Sequence, residues 1–143
     1  MDKRFLVCGI VVGPAALLLG FLVHGLLLRP DYQALAALYR SPERANAHAG
    51  WIIPAYLLMG LAMTWLYRRM PASEGVDPGR GARFGLAVAL VSVVPWHMLA
   101  FVAQPLPLSL MLRQVGFDLV AMVLLGVLLA WLQPHRRVLG ELP

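Results

Sequence analysis

The sequence predicts an all-α polytopic membrane protein, four transmembrane helices in an up-down bundle with both termini in the cytoplasm. Three observations carry that expectation. Apolar residues make up 60% of the 143 and charged residues only 13%, where a soluble domain has roughly 45–50% and 25%. The apolar residues fall into four runs, each close to the roughly 17–25 residues that a helix needs to cross a bilayer. Nearly every charge lies between those runs.

The first run is 5–28, without a charge, after Met1-Asp2-Lys3-Arg4. A signal peptide has an apolar core of about 7–15 residues, so this longer run is expected to stay as a first span. The second run, 50–67, is closed by Arg68-Arg69, and the third, 84–104, is opened by Arg83. The fourth, 110–132, is interrupted by Arg113 and Asp118 and followed by His135-Arg136-Arg137. Together they are expected to form one integral membrane domain.

Orientation follows from the basic residues. Lys3, Arg4, Arg68, Arg69, Arg80, Arg83, Arg136 and Arg137 share one side, and only Arg29, Arg40, Arg44 and Arg113 belong to the other. Basic residues favour the cytoplasmic side, so the 29–49 connection is expected outside. Trp51, Trp65, Tyr67 and Trp131 lie near span ends, where interfacial aromatics sit. The net charge of +5 is therefore a topogenic feature. No basic run alternates with aromatics as a nucleic-acid surface would. Eleven of the twelve basic residues are Arg; with abundant Ala, Leu, Gly and Pro this points to a GC-rich bacterial genome, and so to the inner membrane. Cys8 is the sole cysteine, which excludes an intrachain disulfide and a cysteine metal cluster.

Within 29–49, Asp31 is expected to cap a short helix over 32–39, with Leu35, Leu38 and Tyr39 against the membrane surface. Ser41-Pro42-Glu43 reads as a second helix start, with Ser as cap and Pro at the first helical position. Gln104-Pro105-Leu106-Pro107-Leu108-Ser109 is short and uncharged, making a hairpin of the last two spans. The Pro/Gly-rich stretch 71–82 reads as a linker without regular structure.

In the first span Gly9, Gly13, Gly20 and His24 share one face, since their spacings are four and seven. Small residues let helices approach closely in lipid. Packing inside the bundle is favoured over a face for a second copy. Pro14, Pro54 and Pro95 fall inside spans, where each removes a backbone donor and can kink its helix.

The polar residues within the spans are the candidate site: His24, His97, Gln104, Arg113, Gln114 and Asp118. His97 is seven residues before Gln104 and Asp118 eight after Leu110. At 1.5 Å per residue both lie roughly 10–12 Å below the same boundary, on adjacent antiparallel helices. Gln114 shares a face with Asp118 and Gln104 with His97. Arg113 is offset from Asp118 and is expected to snorkel outward, to phosphate or to the 29–49 connection. A buried carboxylate needs a partner, water or a proton, which makes the His97–Asp118 pair the centre of the site. A structural clasp and a functional site are equally open readings. His24 and His97 are the only intramembrane pair for a haem iron, and with Asp118 they form an N/N/O metal set. No other feature supports either, and no cofactor is expected. No catalytic triad order, P-loop or dinucleotide fingerprint occurs.

The run Phe21-Leu22-Val23-His24-Gly25-Leu26-Leu27-Leu28-Arg29-Pro30-Asp31-Tyr32 resembles a family of small, uncharacterised four-helix bacterial inner-membrane proteins. So do Arg83-Phe84-Gly85-Leu86-Ala87-Val88-Ala89-Leu90, Gln104-Pro105-Leu106-Pro107 and Leu112-Arg113-Gln114-Val115-Gly116-Phe117-Asp118. The resemblance implies a four-helix membrane protein and carries no known activity. Small multidrug transporters are similar in size, but the acidic residue of their first helix has no counterpart here. The expected function is a non-enzymatic membrane protein, accessory or structural. The alternative is a small transporter or proton-coupled carrier using an outer-leaflet cluster of His97 and Asp118, and less favoured is a redox haem protein. Expected partners are the lipid bilayer and either a second copy or a membrane complex.

Overall fold

The computed structural model describes residues 3–71 and 75–132. The described residues form helices, turns and loops. Four helical stretches are long and apolar enough to cross a membrane: Lys3–Leu27, Ala49–Arg69, Pro78–Ala103 and Leu108–Leu132. The tail with His135, Arg136 and Arg137 lies outside the described residues.

The first stretch, α1, is α-helical over Lys3–Gly20 and π-helical over Phe21–Leu27. It stops because Pro30 has no N–H to extend the ladder. Pro30 instead occupies the start of α2 (Arg29–Ala34), followed by a 3-10 turn over Ala36–Leu38. The expected helix over 32–39 therefore begins earlier and is broken. Asp31 sits in the first turn of α2, and its carboxylate reaches Arg113 at 2.9 Å instead of acting as a cap. α3 (Pro42–Ala47) has Ser41 at its cap position, without a side-chain capping bond. The Nδ1–H of His48 then donates to the Arg44 carbonyl at 2.8 Å, at the end of that helix. The chain re-enters α4 through a 3-10 turn, Ala49–Trp51, and an α-helix, Ile52–Arg69.

Two boundaries differ from the sequence expectation. α5 starts at Pro78, inside the supposed linker, because the Asp77 carboxylate accepts the Arg80 backbone N–H at 2.9 Å and Pro78 fits the first helical position. Pro/Gly content thus marks a helix start here. The third span also divides, into α5 (Pro78–Val91) and α6 (Val93–Ala103). Ser92 between them has φ −122° and ψ −81°, outside helical geometry. Pro95 cannot donate to the Val91 carbonyl and its ring crowds it, so the break falls a turn before the proline. α7 (Leu108–Leu132) contains no proline and runs unbroken.

Packing joins these helices in antiparallel pairs. Gly9 of α1 faces Leu61 of α4, and Gly13 faces Tyr56 and Leu57. From the other side, a Cβ on Gly60 would overlap the Gly13 nitrogen and the Gly9 carbonyl. Gly81 and Gly85 of α5 meet Gly126 and Met122 of α7 in the same way. Helices in lipid gain little from burying apolar surface, so close backbone contact through small residues supplies the attraction. The face of Gly9, Gly13 and Gly20 thus packs inside the chain, with Tyr56 against Gly20. α7 also touches α1: the Cys8 thiol donates to the Leu132 carbonyl at 3.4 Å. Successive spans therefore alternate in direction. The core contains Val12, Met63, Tyr67, Phe84, Leu125 and Leu129. A smaller apolar cluster, Val23, Leu28, Leu106 and Leu110, closes the end where α2 folds over.

Candidate functional site

Asp118 anchors the site because α7 carries it unbroken into the bundle, one turn after Gln114 on the same face. Both are buried. α6 packs on α7 and presents His97, also buried, while the π-helical end of α1 presents His24. The wider π turns shift residue phase after Gly20, so His24 faces α7 although the glycines before it face α4. π segments frequently mark functional sites.

The two histidines take one carboxylate oxygen each. His97 Nε2 lies 2.6 Å from Asp118 Oδ2, and His24 Nε2 lies 3.1 Å from Oδ1. On its other side, His24 Nδ1 is 2.7 Å from the Tyr32 hydroxyl, and the Gln114 side-chain amide is 3.0 Å from that same hydroxyl. Five residues from four elements thus form one hydrogen-bonded chain.

The direction of each bond follows from ionised Asp118. A carboxylate only accepts, so both histidines donate through Nε2–H. The Nδ1 of neutral His24 must then accept, and Tyr32 donates to it. The Tyr32 oxygen is left to accept from the Gln114 Nε2–H. Gln114 Oε1 ends the chain, buried and without a partner among the described residues. Burial pushes the Tyr32 phenol above its ordinary value, and the Gln114 bond pulls back only partly. Tyr32 therefore remains a protonated donor through the physiological range.

An open cavity of about 490 Å³ adjoins this chain. Trp96 and His97 of α6 line it on one side, His24, Tyr32 and Tyr39 on the other, and Gln114 of α7 contributes as well. The His97 Nε2 is committed to Asp118, and its Nδ1 has no bond to a described residue. Gln104 is exposed and lines the cavity, one helical face along from His97, without joining the hydrogen-bonded chain. Arg113 stays apart as well, paired with Asp31.

The geometry bears on the metal and haem readings. His24 and His97 both point Nε2 at separate carboxylate oxygens, so the set does not converge on a common centre. No group of three ligating side chains among the described residues has metal-binding geometry. The histidine rings are 6.4 Å apart with Asp118 held between their Nε2 atoms, which leaves no facing nitrogen pair for a haem iron. Sequence reasoning missed Tyr32. Its one signal was Pro30 two residues earlier, which turns the chain back over the bundle.

Fold and site together define an all-helical protein with four helices long and apolar enough to cross a membrane, and a His–Asp–His cluster, buried at His97 and Asp118 and half-buried at His24, beside a cavity. The chain belongs to the family described as a protein of unknown function, DUF1761, whose model matches residues 9–130. That stretch holds every residue of the cluster. No curated protein and no solved structure matches the chain.

Proposed function

We propose that this protein is a small, non-enzymatic, proton-coupled carrier whose exchangeable proton resides on the His24–Asp118–His97 cluster. One observation carries the reading: a single intramembrane carboxylate is bonded on both oxygens by histidines from two other helices. Intramembrane ionisable groups that meet in a bundle mark proton and ion pathways. Charge inside a bilayer favours a net-neutral cluster. One carboxylate and two histidines reach neutrality with one added proton, as a carboxylate, one imidazolium and one imidazole.

That proton reorganises the chain. An imidazolium at His24 donates through both nitrogens, so the Tyr32 hydroxyl must turn and donate to Gln114, whose amide flips to accept. Loss of the proton reverses each bond. The break at Ser92 supports movement of α6 relative to α5, since discontinuous helices are where transporters place their sites. The basic-residue balance supports an orientation in the bacterial inner membrane with the termini inside. In that orientation the cavity lies in the outer half.

Solid-supported-membrane recordings on proteoliposomes test the reading. Solutes from the amine, amino-acid, sugar and organic-acid classes are applied under imposed proton gradients of either sign. A solute-dependent proton movement that vanishes in Asp118→Asn is expected. If no class drives proton movement while Asp118→Asn lowers only the melting temperature, the cluster is a structural clasp. Orientation is tested separately, by impermeant thiol labelling of single cysteines at 46 and 76 after Cys8→Ser. Label at 46 alone in intact cells is expected, and label at 76 alone inverts the proposed orientation.

A further inference from the structure

Resting on the proton-coupled reading, we infer that the cavity between α6 and α2 binds a primary or secondary organic ammonium ion with an apolar body. It takes that ion in exchange for the cluster's proton. Three observations converge on this ligand class. First, with Asp118 ionised, the polar atoms of the hydrogen-bonded chain left without a partner among the described residues are acceptors, and both belong to residues that line the cavity. Gln114 is 6% exposed, and its Oε1 is buried without a partner among the described residues. His97 Nδ1, opposite the nitrogen that binds Asp118, is the second acceptor. An occupant that satisfies both brings at least two N–H or O–H donors.

Second, the walls are aromatic. Tyr32, Tyr39 and Trp96 line the cavity, and a cation over such ring faces is attracted by their negative faces, more strongly as water is excluded. Tyr32 and Tyr39 are fixed edge to face, with centroids 5.4 Å apart. Trp96 is 69% exposed, a large apolar side chain beside the cavity that a ligand's body can cover.

Third, the charge balance selects a cation. Arg113 is spent on Asp31, so the deprotonated cluster carries the uncompensated charge of Asp118. The groups facing that carboxylate are His24 from α1, His97 from α6, Tyr32 from α2 beyond His24, and Tyr56 from α4. None of these is a fixed cation. The exchange balances: an ammonium ion enters, one proton leaves an imidazolium of the cluster, and the site stays neutral. The protonated chain ends in donors at the cavity, from Gln114 Nε2 or from His97 Nδ1, and these repel an N–H donor. Proton and ligand therefore exclude each other through the same bonds.

The test uses the purified full chain in detergent with 2-phenylethylammonium as probe. Calorimetry should show saturable binding, and a pH dye in weak buffer should show about one proton released per ligand bound. Affinity should fall by up to about tenfold per pH unit on the acid side. The trimethylated analogue keeps the charge but has no N–H, and 2-phenylethanol keeps one donor but has no charge. Both should bind at least about tenfold more weakly. Asp118→Asn should abolish proton release, and Trp96→Leu, at an exposed position, should weaken binding while the melting temperature holds. No binding at millimolar probe, equal binding of the neutral alcohol or the trimethylated analogue, or binding without proton release overturns the inference. Proton currents driven by another solute class would then leave the carrier reading standing. Probe binding with proton release but without coupled current would sink the carrier reading instead.

Discussion

His97 and Asp118 meet at 2.6 Å across 21 residues of chain, and the same carboxylate reaches back 94 residues to His24. One side chain on the unbroken helix α7 therefore ties together two spans whose α-helical course is interrupted. α1 changes to π geometry just before His24, and α6 begins after the break at Ser92. The π segment contains His24 and the Ser92 break precedes His97 by five residues, and each helix brings its histidine to α7.

The first prediction concerns the energy of that tie. Removing one member of a buried pair leaves the other uncompensated. His97→Leu, Asp118→Leu and the double variant should therefore show non-additive losses of thermal stability in detergent. A coupling of about 1–2 kcal/mol is expected, at the upper end for polar contacts between membrane helices. Additive losses would show that the 2.6 Å contact contributes nothing to the fold.

A second prediction contrasts two glycines. A Cβ on Gly60 would overlap the backbones of Gly9 and Gly13, whereas Gly116 has nothing within 4 Å. Backbone cannot move aside as a flexible side chain can. Gly60→Ala should cost roughly 1–3 kcal/mol through overpacking. Gly116→Ala should be neutral, or stabilising by up to about 1 kcal/mol through helix propensity. Melting curves of the two variants decide it, and equal behaviour would detach α1 from α4.

These relationships were unequally legible in the sequence. Four apolar runs separated by charges mark the spans, because a bilayer imposes length and polarity on each helix separately. Counting residues from the hairpin placed His97 and Asp118 at one depth, since 1.5 Å per residue holds along regular helices. His24 belongs to the candidate cluster on polarity alone, while α-helical spacing puts it on the glycine face; the π turns after Gly20 bring it to Asp118 on α7. Tyr32 was invisible because the path of a connection depends on contacts distant in sequence, here Leu28 against Leu106 and Leu110. The 71–82 stretch reads as a linker from its Pro and Gly content, although an acidic cap before proline, here Asp77-Pro78, starts a helix equally well.

The third prediction uses the Tyr32 phenol. Its pKa is raised from the ordinary 10.0, first by burial. A group whose folded value exceeds its unfolded one contributes stability in full below the unfolded pKa. That contribution is lost as pH rises through the folded value. The difference in stability between the parent and Tyr32→Phe should therefore be constant to about pH 10 and shrink above it. Ultraviolet titration of the same pair should assign to Tyr32 a phenolate that forms later than a free tyrosine's. A Tyr32 transition at or below the ordinary value would mean that the hydroxyl faces solvent and that the chain from Gln114 to His24 is open.

The fourth prediction concerns what breaks the third span. Two causes act at the same place. Pro95 removes the hydrogen bond to Val91, and the Ser92 hydroxyl donates to the Val88 carbonyl at 2.6 Å. The proline acts sterically on a whole turn, while a serine bonded one turn back bends a helix only slightly. Pro95→Ala should therefore straighten the span, and Ser92→Ala should not. Spin labels at the exposed positions Arg83 and Val102, in a Cys8→Ser background, report the change. An unbroken helix separates those backbone positions by about 28 Å; the broken parent should measure shorter, and Pro95→Ala should approach that value. Straightening would also displace His97 from Asp118, so the Pro95→Ala background should lose most of the His97–Asp118 coupling. A straightened span that keeps the full coupling would show that the break does not position His97. A parent already at the unbroken distance would place the irregularity at Ser92 within a straight helix axis.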